Sequence, residues 1–70
     1  MALELFTIVR TTKDFPEYGL IKGDRGAILE IYGDGEGYDV EFPATTDPTH
    51  VVVMHPADIE AVPSRQPAVA

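Results

Sequence analysis

Residues 18–42 read YGLIKGDRGAILEIYGDGEGYDVEF, and their pattern decides the fold. Two apolar runs, Ala27–Tyr32 and Tyr38–Phe42, flank the turn-forming segment Gly33-Asp34-Gly35-Glu36-Gly37. Two β-prone runs joined by such a segment predict a β-hairpin. In the second run Tyr38, Val40 and Phe42 fall on one face while Asp39 and Glu41 fall on the other. That alternation marks a half-buried strand with a clear inside. The first run is less regular, because Ile28, Leu29 and Ile31 do not share one parity. A bulge near Ile28–Glu30 reconciles them and adds the curvature that a barrel needs. Just upstream, Lys22-Gly23-Asp24-Arg25-Gly26 predicts a tight turn, where glycine permits positive φ or close backbone approach.

Leu5–Arg10 (LFTIVR) is β-branched and aromatic and predicts another strand. Thr11–Leu20 (TTKDFPEYGL) carries Pro16 and Gly19, so it predicts a loop. Its Phe15, Tyr18 and Leu20 are too apolar for free solvent, and they should cover one end of the core. Pro43–His50 reads as a polar loop and Val51–Met54 as a short apolar strand. His55–Glu60 predicts one helical turn with an early proline, and Ala61–Val62 a last short strand. The class is therefore all-β: a small SH3-like barrel of about five antiparallel strands, with one short helical turn near the C-terminus. An OB-type barrel is the alternative. The expected core is Ile8, Leu29, Ile31, Tyr38, Val40, Phe42 and Val52. A single barrel domain is expected over residues 1–62, followed by a flexible tail, 63–70 (PSRQPAVA), with too little apolar bulk to order itself.

Seventy residues sit near the lower limit for a core that stabilises itself without staples. The chain has no cysteine, which excludes disulfides and thiolate metal sites and fits the cytoplasm. Met1-Ala2-Leu3-Glu4 shows no secretory pattern, and no apolar run approaches the ~18 residues of a membrane span. The net charge of −7 is unevenly placed. Residues 1–25 hold four acids and four bases, whereas residues 26–64 hold eight acids and no lysine or arginine. Such a field repels nucleic acid and anionic membranes and attracts basic partners.

Two resemblances follow from these residues. Gly23-x-x-Gly26-x-Ile28-x-x-Ile31 resembles the glycine-to-aliphatic spacing of KOW-type SH3-like segments. RNA-binding members of that group use basic residues around the motif; here Lys22 and Arg25 stand alone. A longer resemblance spans Leu5 to Val62. Asp14-Phe15-Pro16-Glu17-Tyr18-Gly19-Leu20, Gly23–Tyr32 and Tyr38-Asp39-Val40-Glu41-Phe42 resemble a family of small bacterial proteins, domain of unknown function four-nine-two-six. That family reads D-L-P-E-x-G-L, G-x-x-G-T-I-V-E-V-Y, then Y-E-V-E-F. This chain departs from it with Phe15 for leucine and Ala27 for threonine. The resemblance implies an SH3-like barrel in a bacterial cytoplasm, with no established activity.

Little in the chain points to catalysis, and no enzyme is expected. His50 and His55 are the only histidines, and hydroxyl nucleophiles are confined to Ser64 and the threonines. No spacing assembles a base with an orienting acid. The two histidines, five apart, do not match usual metal-site spacings. Asp34, Glu36 and Asp39 lack the calcium-loop pattern, and the glycines around them lack the helix and lysine of a phosphate cradle. No cofactor and no metal are expected.

The outward face of the hairpin is more informative. Glu30, Tyr32, Asp39 and Glu41 should lie together there, with Asp34 and Glu36 at the tip. Like charges on neighbouring strands destabilise a sheet, and a basic partner relieves them. These six residues are the candidate partner-binding set. The reading is a non-catalytic interaction module, accessory, antitoxin or immunity-like, docking a basic protein partner. The alternatives are an RNA-binding KOW-like domain and a homo-oligomeric barrel that forms a small-ligand site.

Overall fold

A computed structural model describes residues 3–63. Their strands are β1 (Ile8–Thr11), β2 (Arg25–Tyr32), β3 (Gly37–Glu41), β4 (Val51–Met54) and β5 (Ile59–Ala61). All pair antiparallel in one sheet of order β4-β3-β2-β1-β5. Two 3₁₀ turns, Pro16–Tyr18 and Pro56–Asp58, begin at prolines whose fixed φ suits a first helical position. The result is an all-β, SH3-like barrel whose hydrogen-bonded ring stays open between β4 and β5. No helix among the described residues is long and apolar enough to cross a membrane.

The concave side of the sheet holds the core: Val9, Ile28, Tyr38, Val40, Phe42, Val52, Met54 and Ile59 are buried. Phe15 and Leu20 close one end, joined by an antiparallel bridge around the first 3₁₀ turn. The loop therefore folds back as its apolar content requires, and Tyr18 packs against the cluster. Gly26 is buried on β2 beside the end of β3. A Cβ there would stand 2.6 Å from the Glu41 carbonyl oxygen and 2.8 Å from both Phe42 Cδ1 and Val40 Cγ1. Only glycine lets these strands approach so closely.

β2 and β3 pair from Ala27↔Glu41 and Ile28↔Val40, then resume at Glu30↔Asp39, Ile31↔Tyr38 and Tyr32↔Gly37. Leu29 is the extra residue of a β-bulge, located where the mixed parity of the aliphatics requires one. Its side chain departs from expectation: Leu29 is exposed, Ile28 is buried in its stead, and Ile31 is half-buried. A bulge sets two residues of one strand against a single partner, and here Leu29 and Glu30 both turn outward opposite Asp39.

Other boundaries also shift. β1 begins at Ile8, because Leu5 and Phe6 form a turn in which the Thr7 N–H donates to the Glu4 carbonyl at 3.2 Å. Ile8 points outward, since Val9 is the residue paired with buried Gly26. The helical turn is confined to Pro56–Asp58, and the final strand starts at Ile59 rather than Ala61. The expectations for the leader at Met1-Ala2 and for the tail beyond Pro63 lie outside the described residues.

Candidate functional site: the acidic face of the β2–β3 hairpin

The tip of the hairpin is built by backbone geometry. The Tyr32 carbonyl accepts from the N–H of Gly35 at 3.2 Å and of Glu36 at 2.9 Å, while Gly33 and Gly35 take φ of 59° and 98°. Such angles favour glycine, so the run of glycines holds the turn. Asp34 and Glu36 stand exposed on it.

Below the tip, the register brings Glu30 directly opposite Asp39. The Tyr32 phenol donates a 2.7 Å hydrogen bond to Asp39 Oδ2. That bond, with some desolvation and the negative charges of Asp39 and Glu30, raises the Tyr32 pKa above its ordinary value. The phenol therefore stays a neutral donor at physiological pH. Glu41 lies on the same face but a row away, with Ala27 on one side and Val51 on the other. Of the six candidate residues, the structure gathers Glu30, Tyr32 and Asp39 into contact range. It sets Glu41 beside them and leaves Asp34 and Glu36 at the tip.

The cations go elsewhere. Arg10 Nε meets Glu60 Oε2 at 2.6 Å, and Lys13 Nζ lies 3.9 Å from Asp58 Oδ1. Arg25 is exposed beside Arg10 at the start of β2 and shares with Glu41 the rim of a shallow cleft of about 200 Å³. Among the described residues, no ion pair includes Glu30, Asp34, Glu36, Asp39 or Glu41.

Sequence reasoning missed the apolar residues on this face. Ile8, Leu29 and Val53 all stand exposed on it. The signal for Leu29 was the bulge itself, since its two residues share one side. Val53 follows from simple alternation in VVVM, read as a half-buried rather than a fully buried strand.

The remaining candidates serve local structure. Thr11 Oγ1 donates to the Ile21 carbonyl at 2.8 Å and accepts from the Gly23 N–H at 3.0 Å. Thr45 Oγ1 donates to the Tyr18 carbonyl at 2.7 Å. Thr49 donates from both N–H and Oγ1 to Asp47 Oδ1, which lowers the Asp47 pKa. His50 and His55 are exposed at opposite ends of β4, and neither bonds a threonine hydroxyl among the described residues. Nor does any group of three or more His, Asp or Glu side chains among those residues have the arrangement to hold a metal ion.

No curated protein and no solved structure matches the chain. The family described as Domain of unknown function (DUF4926) matches residues 5–60, which include all five strands but for the last residue of β5. The chain belongs to that family.

Proposed function

We propose that the protein is a non-catalytic docking module that presents the outer face of its β2–β3 hairpin to a basic protein partner. One observation carries the reading: Glu30 and Asp39 are register partners on an exposed face, with no cation in contact among the described residues. Directly opposed like charges destabilise a sheet by tenths of a kcal/mol to about one, and a cationic partner removes that cost. Tyr32 supports the same reading. It is 44% exposed and fixed by Asp39, so it offers an aromatic surface with little rotamer entropy left to lose.

The test compares the wild type with the double variant Glu30→Gln, Glu41→Gln, each immobilised and exposed to the same native extract. Basic proteins retained by the wild type should be lost from the variant. Rising salt should slow their association more than it speeds dissociation, because complementary charge acts mainly on encounter. Equal capture by both forms would show that the acids only solubilise the protein.

A further inference from the structure

The register shows how the apolar and acidic side chains of this face are interleaved. One row across four strands runs Val51, Glu41, Ala27, Ile8. The next runs Val53, Asp39, Glu30, with Leu29 beside Glu30 in the bulge. At ordinary strand spacing the first row spans about 14 Å. Ile8 is 46% exposed, Leu29 38% and Val53 57%. Single apolar side chains on a surface are ordinary. Here Ile8 and Leu29 lie diagonally on adjacent strands, Val53 stands on the far side of Asp39 from Leu29, and the bulge gives its spare outward position to a leucine.

A second feature adjoins the bulge. Phe6 is 72% exposed and takes φ of 64°, a region that bulky residues avoid, while its N–H donates to the Ile28 carbonyl at 2.7 Å. An aromatic ring thus stands in solvent at the edge of the same patch, on strained backbone.

We infer that the partner of this face is a basic amphipathic segment: its apolar side chains cover Ile8, Leu29 and Val53, and its cations meet Glu30, Asp39 and Glu41. The inference rests on the docking reading above and names the chemistry of what docks. Charge complementarity selects this occupant. A second copy bound about a two-fold axis would bring the same acids against themselves. Nucleic acid and anionic lipid meet a repulsive field. A purely cationic tail would satisfy the acids yet leave the apolar rows in water, whereas an amphipathic segment satisfies both.

Three synthetic decapeptides test the inference: alternating lysine–leucine, alternating lysine–serine and alternating glutamate–leucine. Binding is followed by amide chemical shifts at near-physiological salt. The lysine–leucine peptide should bind about tenfold more tightly than lysine–serine, with shifts centred on Ile8, Leu29, Glu30 and Asp39. Leu29→Ser should abolish that advantage and leave lysine–serine binding as it was. Ile8→Ser provides the same comparison should Leu29→Ser fail to fold. Glu30→Gln with Glu41→Gln should weaken both lysine peptides. Equal binding of the two lysine peptides to the wild type overturns the amphipathic partner and leaves charge-driven docking standing. Binding of neither, or equal binding of glutamate–leucine, overturns both.

Discussion

On the flank built from β1 and β5, acid meets base; on the β2–β3 hairpin, acid meets acid. Arg10 and Glu60 are register partners joined by a 2.6 Å ion pair, whereas Glu30 is the register partner of Asp39. Both pairs stand on the outside of one continuous sheet. The difference comes from how strand order redistributes a segregated sequence. Every lysine and arginine among residues 1–64 precedes Gly26. Placing β1 against β5 carries Arg10 to the late acids of the chain. Arg25, at the start of β2, falls beside Arg10 and away from Glu30 and Asp39. Topology thereby gives one flank an acid–base pair and leaves Glu30 and Asp39 on the other without a cation in contact among the described residues.

The largest expected effects test whether the inside of the hairpin, and not its charged outside, holds it together. Val40→Ala should cost about 1–3 kcal/mol in urea denaturation, through lost burial and a residual void. Gly26→Ala should cost on the order of 1–3 kcal/mol, because the new methyl would meet the Glu41 backbone oxygen. A neutral Gly26→Ala would show that β2 and β3 do not approach as described.

Smaller effects of opposite sign should separate the two flanks. Glu60→Gln removes a half-exposed ion pair and should destabilise the protein by a fraction of a kcal/mol. Glu30→Gln with Glu41→Gln relieves repulsion and should stabilise it by tenths of a kcal/mol to about one. If both variants move stability the same way, the contrast between the flanks is not electrostatic.

A pH titration sharpens the acid–acid side further. The folded state holds the Tyr32 proton more tightly than the unfolded chain does. The resulting stabilisation is complete below the unfolded pKa of about 10 and is lost as pH rises through the raised folded value. Thermal melts of the wild type and Tyr32→Phe should therefore converge or cross above about pH 10 while staying separated at neutral pH. A constant separation across that window would mean that Asp39 does not accept from the phenol. The smallest expected effect is none: generic RNA or DNA should not bind measurably at near-physiological salt, since phosphate neutralisation needs clustered cations. Binding that weakens steeply with salt would point to Lys13, Lys22 and Arg25 and revive the RNA-domain alternative.

Much of this was legible in the residues. Period-two alternation in Tyr38–Phe42 and the glycines at 33, 35 and 37 specify the hairpin and its inside. The conflicting parities of Ile28, Leu29 and Ile31 announce the bulge. Which aliphatic leaves the core is not written locally, because both arrangements bury two of the three. Ile8 and Val9 are equally apolar, so their faces depend on which one meets Gly26 across the β1–β2 ladder. The opposition of Glu30 and Asp39 could be counted back from the turn. The bulge moves Glu41 against Ala27, which that counting cannot supply. Nothing in the residue types of Leu5 and Phe6 signals a turn with positive φ.

The bulge at Leu29 also determines how this hairpin tolerates a change in chain length. β2 carries one residue more than β3 requires, and that surplus lies at 29 and 30 alone. Deleting Leu29 would leave Ile28 facing Val40, Glu30 facing Asp39 and Ile31 facing Tyr38, every remaining side chain on its present side. Deleting Ile31 would instead bring Glu30 or Tyr32 opposite Tyr38 and into the core, because a one-residue slip reverses the sides of a strand. Two adjacent stretches of one strand thus answer a single-codon loss in opposite ways. This hairpin can lose a residue at the first and not at the second.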